Sequence, residues 1–327
     1  MKKPLLICLT PVFNEAWILP AFLKATSLWA DYIIIADQMS TDESREIYKQ
    51  FDKVVVIDNP RKEMHQARTR KLLFEEANKI DGDKILFTLD ADEFLSGDFL
   101  NSDNWQVIIN SEPGDVFLFR WMNLHCVSNK YTTWQHYYWA AHVNNDIMNG
   151  QFPDNFIHEW RLPWPNVQNK EYKIDDISFI HYARVNVKRQ QNKERFYQVS
   201  TASKLPKYSG VGFYRQYHPI EDATYYDIPN DAYKTYEENG IDINSLLNLE
   251  DDGQHYTDNV INYISKYGIN KFAKLDIWNK EFLRKNNLTD PRNSIDKILH
   301  YYLRRTNRWQ KFLFIKFIDK ILKMLGY

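Results

Sequence analysis

Four short apolar runs punctuate the first ninety or so residues: "LLICLT" (Leu5–Thr10), "YIIIAD" (Tyr32–Asp37), "KVVVI" (Lys53–Ile57) and "KILFTLD" (Lys84–Asp90). They are rich in β-branched residues and show no polar alternation, so each predicts a strand buried on both faces. Between them, Ile18–Trp29 and Met64–Ile80 carry apolar residues at helical spacing. Ser40-Thr41-Asp42-Glu43 reads as a helix N-cap region with acids in the first turn. Such alternation predicts a parallel sheet covered by helices on both faces, with ligands beyond the carboxyl ends of the strands. The strand ends to inspect are Thr10-Pro11, Asp37, and Asp90 with Asp92.

From Asp115 the pattern changes. "DVFLFRWMNL" and "YTTWQHYYWAAHV" are long, aromatic and strand-like, and "DISFIHYAR" gives a further strand. Gln190–Lys204 has helical spacing, Lys207–Asp231 reads as irregular, and Thr257–Lys266, Asn270–Arg284 and Ser294–Leu325 read as helices.

Composition narrows the classes. Of 327 residues, 44% are hydrophobic and 26% charged, enough for a sizeable core. A formal net charge of -1 lacks the basic excess of a nucleic-acid binder, so no nucleic-acid partner is expected. Two cysteines, Cys8 and Cys126, cannot build a disulfide framework, and a reducing, cytoplasmic setting fits them. Lys2 and Lys3 precede an apolar stretch as in a signal peptide. Pro11, Asn14 and Glu15 break that stretch, which reads better as a first strand. No run approaches the length of a bilayer span.

The segment "FTLDADEFLS" (Phe87–Ser96) crowds Asp90, Asp92 and Glu93 into four positions. Their repulsion must be met by solvent, by Lys or Arg, or by a bound cation. Two Asp separated by one residue in a turn can converge on one hard divalent ion, Mg²⁺ or Mn²⁺, that keeps positions open for substrate phosphates. A solvated acidic turn is the plain alternative for the triplet alone. Its place at a strand end, beside Asp37 and a capped helix start, favours a nucleotide with its ion.

In their order, these motifs resemble the family-2-type glycosyltransferases of the GT-A fold, in a branch that serves bacterial glycan assembly. "TPVFNE" (Thr10–Glu15) is similar to that family's first strand and nucleotide loop. "WADYIIIADQMSTDES" (Trp29–Ser44) is similar to its second strand, and "HQART" (His65–Thr69) to a helix with an Ala-Arg step. "LDADE" (Leu89–Glu93) resembles the metal-binding DxD, while "FIHEWR" (Phe156–Arg161) and "FIHYARVNVKRQQNKERF" (Phe179–Phe196) resemble later elements.

The resemblance implies an α/β GT-A catalytic domain over 1–205, with a nucleotide-binding half to about 112 and an acceptor half after it. A helical C-terminal extension over 206–327 follows. It implies that Thr10, Pro11, Phe13, Glu15, Asp37, Arg68, Asp90 and Ala91 contact the nucleotide sugar. Asp37 would recognise the base, and Arg68 would face the donor or the first acid. Asp92 would hold the ion, Asp90 would take the ribose or the ion through water, and His181 would be a ligand from far along the chain. An imidazole suits Mn²⁺ better than Mg²⁺. Glu159 is the implied base for the acceptor hydroxyl, since only one of His158 and Glu159 can face the donor from a strand. His158, Trp160, Arg161 and Trp134 are weaker acceptor or donor contacts, and any one Trp serves a core as readily. Glu93 is expected to turn to a base such as Arg68 or Arg120.

The sequence departs from the family where Asp37-Gln38-Met39 replaces an acidic pair or Asp-Ser before Gly, which puts the loop geometry in doubt. Thr69 stands for a frequent Asn, and Ala183 for a usual Gly. The expected activity is metal-dependent, inverting transfer of a sugar from a nucleoside-diphosphate sugar, UDP by family analogy. The expected acceptor is a glycan or a lipid-linked one, in cell-surface polysaccharide synthesis. A catalytically degenerate nucleotide-sugar scaffold is the alternative. A Mg²⁺-dependent phosphotransferase fits less well, because Glu93-Phe94 follows the triplet where Thr or Val follows that nucleophile. The last residues, 300–325, are basic and amphipathic. They suit a helix lying in a membrane surface, peripheral on the inner face of the plasma membrane, or a stripe docked on the protein's own core or a partner subunit in an oligomer.

Overall fold

The protein is described by a computed structural model over residues 3–60, 65–125, 130–133, 138–143 (backbone only), 161–162, 170–218, 224–249 and 251–327. The chain divides into two compact units, one formed by residues 1–185 and 224–249, the other by 186–223 and 250–327.

The first unit opens with β1 (Leu5–Val12), α1 (Leu19–Ser27), β2 (Tyr32–Asp37), α2 (Ser44–Tyr48), β3 (Val54–Asp58), α3 (Gln66–Ala77) and β4 (Lys84–Thr88). β1 to β4 are parallel, with β1 between β2 and β4 and β3 outside β2. Their unbroken apolar character has a direct cause. Leu6, Cys8, Ile33, Ile35, Ile85 and Phe87 pack on one face with Phe22 and Leu23 of α1, while Ile7, Leu9, Ile34, Ala36 and Leu86 pack on the other with Leu73 and Phe74 of α3. Each Leu, Ile or Phe among them contributes about 1.5–3 kcal/mol when fully buried. The expected two-faced parallel sheet is therefore present.

The sheet continues through β5 (Glu93–Leu95), α4 (Asp103–Ile109), β6 (Val116–His125), β7 (Lys130–Thr132), β8 (Tyr138–Val143) and β9 (Glu171–His181). β8 runs antiparallel to both β4 and β6, and β9 lies parallel to β6 and antiparallel to β5. The register sets His181 opposite both Glu93 and Asn123. The one long strand expected over Tyr131–Val143 is two strands, β7 and β8. The aromatic excess largely builds this core: Trp105 lies against Trp29, Phe87 and Phe99, and Phe119 stacks on Phe179.

The second unit is helical. α5 (Val187–Lys204) begins three residues before the expected start, with Asn186 as its N-cap. The expected irregular stretch over Lys207–Asp231 contains α6 (Gly210–Tyr217) and, in the first unit, β10 (Tyr225–Asp227), which pairs with β7. Gly210 permits a close approach, since a Cβ there would stand 2.7 Å from the Lys274 carbonyl oxygen. The first unit also holds α7 (Lys234–Glu238); the second continues with α8 (Gln254–Tyr267), α9 (Lys280–Lys285), α10 (Ser294–Thr306) and α11 (Leu313–Met324). The helix expected over Asn270–Arg284 is a short 3₁₀ turn followed by α9. The final helical stretch breaks between Thr306 and Leu313, where Phe312 takes an extended conformation. Among the described residues, no helix is long and apolar enough to cross a membrane.

Candidate active site

The carboxyl ends of β1, β2 and β4 carry the expected loops, and these are tied together. Asn14 adopts a left-handed φ of 54°, which Asn tolerates. Its Oδ1 accepts from the Thr41 N–H at 2.7 Å, and its own N–H donates to Ser40 Oγ at 3.0 Å. The Ala16 N–H donates to Asp42 at 2.9 Å, and Glu15 accepts from the Trp17 indole at 2.7 Å. The loop after β1 is thereby fastened to the N-terminal side of α2. Thr10 and Ala91 are buried, and Pro11, Phe13 and Glu15 are half-buried.

Asp37 is fully buried, and its oxygens accept from the Ser40 N–H, Arg45 and the Tyr48 hydroxyl, each at 2.9 Å. Arg45 also reaches Asp58, the register partner of Asp37, at 2.5 Å. Burial first, and the Asp37 charge second, push the Tyr48 phenol far above its ordinary value, so it stays a donor. Met39 stands at φ 58°, in the left-handed conformation that a Gly would adopt without steric cost.

At the end of β4, two arginines divide the crowded acids. Arg70 donates to one oxygen of Asp90 at 2.6 Å, and Arg161 lies 3.3 Å from the other. Arg161 also forks across both oxygens of Glu93, at 2.6 Å each, and donates to the Thr88 carbonyl at 2.7 Å. Both arginines are buried. Burial first, with the nearby Arg161 charge, lowers the Arg70 pKa despite Asp90. At Arg161 burial acts in the same sense but is outweighed by Glu93 and Asp90, and its pKa is raised. One expectation is corrected here: Glu93 is held by Arg161, while Arg120 lies 3.4 Å from Asp175. Asp90 is paired with Arg70, and Arg68 is on the exposed side of α3.

Asp92 belongs to the same charged cluster, its carboxylate adding to the field that raises the Arg161 pKa. Its carbonyl accepts from the Tyr182 N–H at 2.9 Å, and one carboxylate oxygen lies 3.6 Å from Nε2 of His181. The other imidazole nitrogen, Nδ1, is 2.8 Å from Asn123 Oδ1. The Asn123 amide donates to the Thr132 carbonyl at 3.3 Å, which turns its oxygen toward His181. Nδ1 therefore carries a proton, and Nε2 is the nitrogen that faces the Asp92 carboxylate. A positive charge, either a proton on Nε2 or a cation, suits the space between them. A carboxylate and an imidazole nitrogen are both donors a divalent ion accepts, so these two residues are compatible with one. The Trp121 ring lies 4.9 Å from the His181 ring and under the Arg161 guanidinium at 5.2 Å, which restrains the imidazole from the side. Among the described residues, no group of three His, Cys, Asp or Glu converges as a complete metal site.

Glu159, His158, Trp160 and Trp134 lie outside the described residues. The structure adds Arg70, Asn123 and Tyr48, which the sequence reading did not single out. Arg70 had a signal: it shares the apolar stripe of α3 with Leu73, Phe74 and Ala77, where a base must be paired.

Residues 8–102 match the sequence model of Glycosyl transferase family 2. No curated protein matches the sequence. Among solved structures, the chain is similar to S. aureus TarS 1-349 in complex with UDP-GlcNAc, at 12% identity and a TM-score of 0.40, over 83% of this chain and 84% of that one. It is also similar to glucosyl-3-phosphoglycerate synthase from Mycobacterium tuberculosis in complex with Mn²⁺, UDP and glucosyl-3-phosphoglycerate. That likeness is at 12% identity and a TM-score of 0.36, over 69% of this chain and 88% of that one.

Proposed function

We propose that this chain, a family-2 glycosyltransferase of the GT-A type, moves a sugar from a nucleoside-diphosphate sugar to a glycan or lipid-linked acceptor with inversion. The observation that carries the reading is the facing pair Asp92 and His181 beyond the carboxyl end of β4, in the crevice where open α/β sheets bind ligands. Asp92 and His181 would hold a divalent ion, Mn²⁺ by preference, and a bound ion would neutralise charge on the departing diphosphate. Asn123 would keep His181 Nε2 directed at that position. Arg70 and Arg161 hold Asp90 and Glu93, which would keep the shape of the loop that carries Asp92.

UDP is the first nucleotide to test, by family resemblance. With Asp37 enclosed by Ser40, Arg45 and Tyr48, its part in base recognition would be to fix the turn whose backbone meets the base. Glu159 remains the proposed base. It would accept the proton of the acceptor hydroxyl while that oxygen bonds to the anomeric carbon and the bond to the diphosphate breaks. The experiment is a panel of nucleotide sugars with Mn²⁺, scored for donor hydrolysis. Metal-dependent release of one nucleoside diphosphate supports the reading, and no turnover or binding with any donor contradicts it. Donor binding without turnover in wild type would favour the scaffold alternative.

A further inference from the structure

The outer face of α11 is apolar, and among the described residues of the second unit it is left exposed. Helical positions advance by about 100° each, which separates three arcs on α11. Ile315, Ile318, Asp319 and Leu322 face inward: Ile315 and Asp319 are buried, Leu322 packs on the cluster of Val211, Tyr214, Leu299 and Leu303, and Asp319 binds Arg215 at 2.8 Å and Tyr302 at 2.9 Å. A second arc carries Leu313, Phe314, Phe317, Ile321, Met324 and Leu325, all exposed, with Leu313 at 84% and Met324 at 79%. Along its edge runs a third arc of exposed Lys316, Lys320 and Lys323. Of the sequence alternatives, docking on the protein's own core holds for the inward arc, and the exposed arc is separate from it.

The charge names the occupant. Between Arg304 and Tyr327 stand seven basic residues and one acid, and that acid, Asp319, is buried against Arg215. A contiguous apolar face this large marks an interaction surface, and an apolar arc edged by lysines suits an anionic lipid surface better than a protein groove. We propose that α11 lies in the plane of an anionic bilayer, with Phe314 and Phe317 in the acyl boundary and Lys316, Lys320 and Lys323 among the headgroups. The proposal rests on α11 alone and stands whether or not the activity above is correct.

The test uses the full chain in sedimentation with phosphatidylcholine vesicles, with and without phosphatidylglycerol. Truncation is unsuitable, because it would strip Asp319 from Arg215. Phe314→Asp/Phe317→Asp and Lys316→Gln/Lys320→Gln/Lys323→Gln alter exposed positions only, and circular dichroism checks their fold. Binding to the anionic vesicles should exceed binding to neutral ones at least tenfold and weaken with salt. Each lysine removed should cost about fivefold. The double Phe variant should lose binding. Folded protein that ignores anionic vesicles, or variants that bind as well as wild type, would overturn the proposal. So would a dimer in solution that the Phe variant dissociates, since a second copy would then be the occupant.

Discussion

Arg161 closes on Glu93 through two parallel hydrogen bonds of 2.6 Å, and both side chains are buried. This fork explains how three carboxylates tolerate four consecutive positions. Glu93 is neutralised by Arg161, Asp90 is shared between Arg161 and Arg70, and Asp92 faces His181.

Removing one partner of a buried pair leaves the other charge without compensation, at about 3–5 kcal/mol. Arg161→Met should therefore destabilise the protein by about that amount in urea unfolding. Adding Glu93→Gln should recover a substantial part of the loss, and simple additivity of the two effects would count against the pairing.

Asn123 acts through His181. Asn123→Leu should leave the fold in place yet weaken Mn²⁺ binding by about 10- to 100-fold, the usual effect of losing a partner that orients a ligand. Electron paramagnetic resonance titration of free Mn²⁺ reads this without turnover. Unchanged affinity would remove Asn123 from any positioning role.

Met39 occupies a left-handed conformation at φ 58°. The steric cost is about 1–2 kcal/mol for an L-residue, and the greater freedom of Gly in the unfolded chain takes back about 0.5–1 kcal/mol. Met39→Gly should stabilise by about 1 kcal/mol or less, visible as a higher melting temperature. A clear loss of stability would mean that the Met39 side chain contributes more than its strain costs.

His300 in α10 donates to the Lys274 carbonyl at 3.0 Å through Nε2 and lies 3.3 Å from Arg292 through Nδ1. Burial, more than any neighbouring charge, holds its pKa below the ordinary value. As pH falls through about 6.5, the unfolded chain takes up this proton before the folded one. Stability is thus complete above that range and is lost as pH drops toward the lowered folded value. Urea midpoints measured from pH 7.5 to 5 should fall in wild type and fall less in His300→Gln; parallel slopes would exclude His300 as the source.

Continuous apolar runs made β1 to β4 legible, because strands buried on both faces need no polar alternation, and Ile33 to Ala36 read unambiguously. The strand ends were legible for the same reason, and Asp92 and His181 do meet. Roles inside the ion network were hidden. Arg161 and Glu93 are separated by 68 positions and joined only by the fold. Arg70 lies two residues from Arg68, the residue matching the family motif, and only its place in the α3 stripe distinguishes it. α6 escaped notice in a Tyr-rich stretch opened by glycines. The break before α11 was hidden because residues 306–311, though mostly polar, contain no Gly or Pro to stop a helix.

The direct measurement is calorimetric titration of UDP into wild type and Asp92→Asn, each with Mn²⁺ and with EDTA. Saturable binding to wild type in Mn²⁺, absent in EDTA and absent in Asp92→Asn, is the expected result. UDP binding that is equal in all four conditions would contradict a cation held by Asp92 and His181 at the nucleotide.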